Sequence, residues 1–301
     1  MFELTRTDAR ATFKDLLGQA NHFLITILVG LNGVRSGATQ IDEEFRTSWN
    51  ARSVRRSAER SRAFALDLAL VRAVDSLDAY MMRSRRRPFA LTNNSFANSM
   101  DGTGQKISKR LAVFNTFLDP LPTHHSAFIR LAIDWRNRRV HSLAEDIAGG
   151  EDIESLQQYS EKLCDEFSGL MVEELIQRYK TGLAPTFKEA AAIIRLTHVA
   201  VAHFDAQLLR DLDIRRYLSD ALAMHLGGHG DAVNTFSLSR SCRQIWDHPT
   251  KKEAKILRAL RLIGIHPTGE LKGRAVPDDL IDDLLRMTSA GAIDFLSQPA
   301  G

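Results

Sequence analysis

Within the run Arg136-Asn137-Arg138-Arg139-Val140-His141 a guanidinium, a carboxamide and an imidazole fall inside two turns of predicted helix. Those three groups suffice for metal-free cleavage of a phosphodiester. The imidazole moves a proton, the guanidinium takes up charge gathering on the crowded phosphorus, and the amide orients the reacting groups. Asn137 and His141 are four residues apart, so they stack one turn from each other and can touch the same ligand. Arg136 lies roughly 140° around the helix from His141, and a single copy does not easily bring both side chains to one phosphate. A two-fold symmetric dimer solves this, because it apposes the same patch from each subunit and lines one cleft with Arg136, Asn137 and His141 from both.

The element that must position these groups is an amphipathic helix inside 126–148. Phe128, Leu131, Ala132, Trp135, Val140, Leu143 and Ile147 form its apolar arc, and Arg130, Asp134, Asn137 and His141 form the opposite strip. Arg136 projects among the apolar residues, where a guanidinium costs free energy unless it is paired or its head reaches water. Asp75 or Asp78 of a preceding long helix could neutralise it, against the plainer alternative that both carboxylates face solvent.

Arginine, a polar residue that is often asparagine, three further residues and then histidine, late in a helical bundle, resembles the signature of the HEPN superfamily (higher eukaryotes and prokaryotes nucleotide-binding). Arg136, Asn137 and His141 match its preferred form. The resemblance covers this helix closely and residues 1–180 in outline. It implies an all-helical homodimer joined through the helix bearing Arg136 and His141. It also implies a metal-independent endoribonuclease of the kind found in toxin-antitoxin pairs and phage defence, in which the ribose 2′-hydroxyl attacks the adjacent phosphate and leaves a 2′,3′-cyclic phosphate. Carried over, Arg136 stabilises the phosphorane, His141 handles a proton and Asn137 orients the phosphate or the imidazole. RNA, as tRNA or mRNA, is the implied substrate, and an antitoxin or regulatory protein is an implied partner. The rival reading is a non-catalytic HEPN-like module that binds nucleic acid, nucleotide or an inhibitor protein through the same cleft.

Charge favours a polyanionic partner for one half of the chain. The 301 residues carry a net charge of +3, but residues 1–150 hold 22 Lys plus Arg against 15 Asp plus Glu, while residues 151–301 hold 18 against 22. Arg52, Arg55, Arg56, Arg60 and Arg62 make one cluster, and Arg83, Arg85, Arg86 and Arg87 a second. The second cluster, with Arg138 and Arg139 beside the candidate site, is the expected RNA-binding surface. Either cluster alone is equally well read as a solvated helix face.

Other features set limits. Cys164 and Cys242 stand far apart without metal-ligand spacing. His225 and His229 have a four-residue spacing, but Gly227 and Gly228 fall between them, so neither a metal site nor a cofactor is expected. His124 and His125 precede the candidate helix and are assigned no chemistry. The apolar run Phe23–Leu31 is too short to span a bilayer and reads as a core helix, giving a cytoplasmic protein with no membrane partner. Arg243 to His248 repeats the loose arginine-to-histidine pattern but runs into Pro249, which disfavours a helix through His248.

Periodicity predicts an all-α fold, with helices over 8–30, 54–84, 107–117, 126–148, 153–179, 187–212 and 214–226. Phe64, Leu68, Val71, Leu77 and Met81 suggest the buried stripe of the second. The polar segment 88–104 reads as a mobile loop. A break at 181–186 suggests a HEPN-like bundle over 1–180 and a helical accessory domain over 187–301. In that domain, Thr250 and Glu253 have capping-box spacing, Pro277 opens another helix that runs to Met287, and the helices after Pro249 raise a helix-turn-helix DNA reader as a third possibility.

Overall fold

The computed structural model describes residues 1–39, 44, 52–140, 149–229, 232–269 and 273–297. The fold is all-α with a few very short strands. In chain order the elements are β1 (Phe2–Leu4), α1 (Asp8–Leu17), α2 (Ala20–Ser36), α3 (Val54–Ser84), α4 (Asn94–Asp101), α5 (Ile107–Phe117), α6 (Thr123–Val140) and α7 (Gly150–Gln158). There follow α8 (Ser160–Glu166), α9 (Val172–Lys180), α10 (Phe187–Asp211), α11 (Ile214–Gly227), β2 (Gly228–His229), β3 (Ala232–Val233), α12 (Thr235–Trp246) and α13 (Lys252–Leu262). The chain closes with β4 (Ile265–Pro267), β5 (Arg274–Val276), α14 (Asp278–Arg286) and α15 (Ser289–Leu296).

The chain divides into two compact units, neither of them a single stretch of sequence. One comprises Met1–Lys14, Asp78–Pro120 and Val201–Gly301; the other comprises Asp15–Leu77 and Leu121–Ala200. This differs from successive domains over 1–180 and 187–301, since the break at 181–186 lies inside the second unit. Strand pairing explains why the first residues belong with the last. β1 is the centre of an antiparallel sheet of order β4-β1-β5, with Phe2 opposite both Pro267 and Val276. The passage is tight: a Cβ at Gly273 would lie 2.4 Å from the Leu4 carbonyl oxygen, which only glycine avoids.

The unit built from Asp15–Leu77 and Leu121–Ala200 carries the candidate site. Its buried residues include Leu66, Leu70, Ala73, Val74 and Leu77 of α3, Phe128, Leu131, Ala132 and Trp135 of α6, and Leu156, Leu163, Leu175 and Tyr179 of α7 to α9. The α3 stripe is therefore rotated from the expected one: Leu77 and Met81 are buried, while Phe64 and Leu68 are exposed. The expected helix over 153–179 is three helices. Ser168 and Gly169 adopt positive φ, and the Gly169 amide closes on the Cys164 carbonyl at 2.7 Å, which ends the helical run.

The apolar run 23–31 also departs from expectation. It lies in α2, where only Leu24 and Leu28 are buried, whereas Phe23, Ile25, Ile27 and Val29 are exposed. Within Asp8–Ser36 an 18-residue window reaches a mean hydropathy of 1.2, the length and apolarity of a bilayer-crossing helix, although Gly18 and Gln19 interrupt the stretch as a turn.

In the other unit, segment 88–104 is not simply a loop, because α4 forms within it. Asn93 caps α4 by accepting from the Phe96 amide at 3.1 Å, and Phe96, Ala97 and Met100 are buried. No Thr250 capping box forms. Instead the His248 ring nitrogen Nδ1 accepts from the Lys251 amide at 3.1 Å, just before α13. β4 and β5 separate α13 from α14, so these two do not form a helix-turn-helix.

Candidate functional site

α6 presents Arg136 as the sequence suggests, among apolar residues and in need of a partner. The guanidinium finds Asp75 of α3, with Nη2 to Oδ1 at 2.8 Å, and Nη1 donates to the Asn137 side-chain oxygen at 3.1 Å. Only 18% of the Arg136 side chain is exposed against 44% for Asp75, so the pair sits at a rim with its carboxylate outermost. The Arg136 Nε is buried without a hydrogen-bond partner. Two of the three guanidinium nitrogens are thus held, and its charge is balanced by a carboxylate that water, or a competing anion, can reach. Asp78, the other carboxylate considered, belongs to Arg110: Nε to Oδ1 is 2.5 Å and Nη2 to Oδ2 is 2.8 Å.

The rest of the α6 C-terminal turn is anchored as well. Trp135 is fully buried and donates through Nε1 to the Leu183 carbonyl at 3.0 Å. Arg138 lies 5.1 Å over the Tyr179 ring, and Tyr179 in turn donates its hydroxyl to the buried Asp134 carboxylate. Arg139 grips both oxygens of Asp67 on α3 and donates to the Gly182 carbonyl at 2.7 Å. Segment 178–184 therefore clamps α6 beside the candidate arginine. His141 lies outside the described residues, as does the rest of the expected helix to 148, so its spacing from Asn137 rests on sequence.

The arginines expected to bind RNA are largely engaged within the fold. In the unit holding residues 78–120, Arg83 pairs with Asp8 at 2.6 Å, Arg85 grips Asp101 at 3.1 and 2.9 Å, and Arg87 pairs with Asp220 at 2.5 Å. Arg86 is exposed. The first cluster is different. Arg52, just before α3, and Arg55, Arg56 and Arg60 in its first turns are exposed, in the same unit as Arg136, and among the described residues the ion pair there is the local one from Arg55 to Glu59 at 3.3 Å. At 100° per residue, Arg56 and Arg60 fall within about 20° of Asp67, the residue that holds Arg139. An arginine strip on α3 thus leads toward the basic end of α6. This was legible in the sequence as spacing, but without Asp67 as a reference point nothing told it from a solvated face.

The remaining histidines separate clearly. α11 ends at Gly227 and His229 stands in β2, so His225 and His229 do not share a helix face. His248 follows α12, which stops at Trp246 before Pro249 as the sequence predicts. His124 and His125, by contrast, are buried in the first turn of α6, where His125 Nε2 meets Glu166 Oε2 at 2.7 Å. Burial, with His125 and Lys162 nearby, pushes His124 below the usual imidazole range. Burial works to raise Glu166, but the His125 hydrogen bond and the adjoining cations outweigh it and hold the carboxyl below its ordinary value.

Comparison with family models, characterised proteins and solved structures gives no match for this chain.

Proposed function

We propose that this protein is a HEPN-like, metal-independent endoribonuclease that works inside the cell as a homodimer, as a toxin or phage-defence effector. The observation that carries the reading is the setting of Arg136. Most of its side chain is withdrawn from water, Asp75 and Asn137 hold its head in one orientation, and its counter-charge is exposed enough for a phosphate to displace. A guanidinium held this way is preorganised for charge that develops on phosphorus, and removing one such donor typically lowers turnover by about 10²–10³-fold. His141 follows five residues later in the sequence and supplies the proton-transfer group. The exposed strip of Arg56 and Arg60 gives an RNA strand a path toward the site.

A second reading has its own support. Arg138, Arg139, Arg83, Arg85 and Arg87 are committed to partners within the chain. Less basic surface is therefore open to RNA than the composition suggests, which favours a non-catalytic module that binds nucleic acid, nucleotide or an inhibitor protein. Incubation of the full chain with tRNA and total RNA in chelator separates the two. Cleavage by wild type that Arg136→Ala abolishes, with helicity and dimerisation retained, supports the enzyme; RNA binding without turnover supports the module.

A further inference from the structure

The unit that carries α6 holds a second cluster of chemistry-bearing side chains at the opposite end of that helix. His124 and His125 occupy its first turn, and Glu166 is the last residue of α8. One ligand atom from each of the three lies within 4.8 Å of the others. His124 Nε2 is 3.6 Å and His125 Nε2 2.7 Å from the same Glu166 oxygen, Oε2. We infer that His124, His125 and Glu166 form a binding site for a divalent transition cation of the zinc class.

Three observations carry this. The donor set is two imidazoles and one carboxylate, the combination that zinc and its neighbours accept in three-ligand sites with an open fourth position. The spacing from each imidazole to the carboxylate is close to what such an ion needs. Bonds of about 2.0–2.1 Å in a tetrahedron put ligand atoms about 3.3 Å apart, so the 3.6 Å pair closes slightly and the 2.7 Å pair opens. Glu166 has a third of its side chain exposed and can make that adjustment. Finally, the histidines are under-satisfied. The His124 side chain is more than nine-tenths buried and that of His125 nearly so, yet His124 Nε2 and His125 Nδ1 have no hydrogen-bond partner. A buried ring nitrogen without a partner is costly, and a cation placed between His124 Nε2 and Glu166 removes that cost for His124.

The surroundings fit a ligand shell. The Tyr159 ring stacks on His124 with centroids 5.0 Å apart, and Phe167 meets His125 edge-on at 6.0 Å, fixing both imidazole planes. Lys162 Nζ, 3.9 Å from Glu166 Oε1, is the competing cation among the described residues; its side chain is half exposed and it swings away when the ion enters. The site ties the start of α6 to the end of α8. It is twelve residues from Arg136, about 18 Å along the helix, so the ion braces the scaffold and takes no part in RNA chemistry.

The test uses the full chain, stripped with chelator, dialysed and titrated with Co²⁺ alone. The expected result is one Co²⁺ per chain with visible d–d absorption, displaced by Zn²⁺, and a thermal midpoint raised by about 5 °C with excess Zn²⁺. His124→Gln and Glu166→Gln should each weaken uptake by at least about 10-fold. Glu166→Gln, partly exposed and isosteric, keeps the test decisive if a histidine variant fails to fold. Absence of the Co²⁺ spectrum, or uptake unchanged in folded Glu166→Gln, overturns the proposal.

Discussion

Arg136 and Asp75 form a 2.8 Å ion pair that joins α6 to α3, with the guanidinium mostly buried and the carboxylate about half exposed. The asymmetry has two consequences. It holds the arginine still without sealing it, and it places a negative charge where a phosphate would have to arrive. Asp75→Asn should therefore cost only about 1 kcal/mol in urea unfolding, because the pair is partly screened by solvent. The same change should tighten RNA binding several-fold at low salt, which filter binding or anisotropy would read. Weaker RNA binding by a folded Asp75→Asn protein would count against an anion-accepting role for Arg136.

Arg110 and Asp78 look similar in sequence but do a different job. Arg110 is nearly inaccessible, grips both oxygens of Asp78 and also donates to the Gly104 carbonyl at 2.5 Å. Arg110→Ala strands a largely withdrawn Asp78 carboxylate and a carbonyl, so a loss of about 3 kcal/mol is expected. Arg85→Ala, whose partner Asp101 is largely exposed, should cost under about 1 kcal/mol. Equal losses for the two in chemical denaturation would contradict this assignment.

RNA affinity should depend on the α3 strip. If Arg56 and Arg60 contact phosphates, replacing both by Ala lowers the slope of log affinity against log salt by about 1.4, near 0.7 for each single-strand contact. Loss of affinity with an unchanged slope would show that these arginines do not meet the backbone. Arg85→Ala serves as the comparison and should leave the slope as it is.

The two thiols should differ in reactivity. Cys242 is fully buried, and burial pushes its thiol up to about 11, so little thiolate forms near neutrality. Cys164 is partly exposed. Titration with a disulfide reagent at about pH 8 should find one reactive thiol in the native protein and two after unfolding. Two fast thiols in the native state would mean that α12 does not pack as described.

Much of the helix inventory was legible because periodicity is local. α3 and α5 have the expected bounds, and α12 stops before Pro249 as that proline requires. What depended on distant partners was not legible. No pattern in Phe2–Leu4 announces strands more than 260 residues later, and Asn93 shows as a cap only once the Phe96 amide is known to point at it. For the candidate site, Arg136 beside Asn137 and the need for a carboxylate partner could be read directly. The choice of Asp75 over Asp78 could not, since it is set by how α3 turns against its neighbours. The same limit hid His124, His125 and Glu166: the imidazoles are adjacent in sequence, but the carboxylate arrives from forty residues away.

The central claim is that Arg136, Asn137 and His141 cut RNA by internal attack of the 2′-hydroxyl. Its most direct test is the chemistry of the product ends, resolved after wild type and His141→Ala are each incubated with defined tRNA in chelator, with helicity checked by circular dichroism. The account predicts 2′,3′-cyclic phosphate and 5′-hydroxyl ends from wild type, with His141→Ala reduced by at least about 10². Cyclic-phosphate ends made equally by both proteins, or 5′-phosphate ends from wild type, would contradict it.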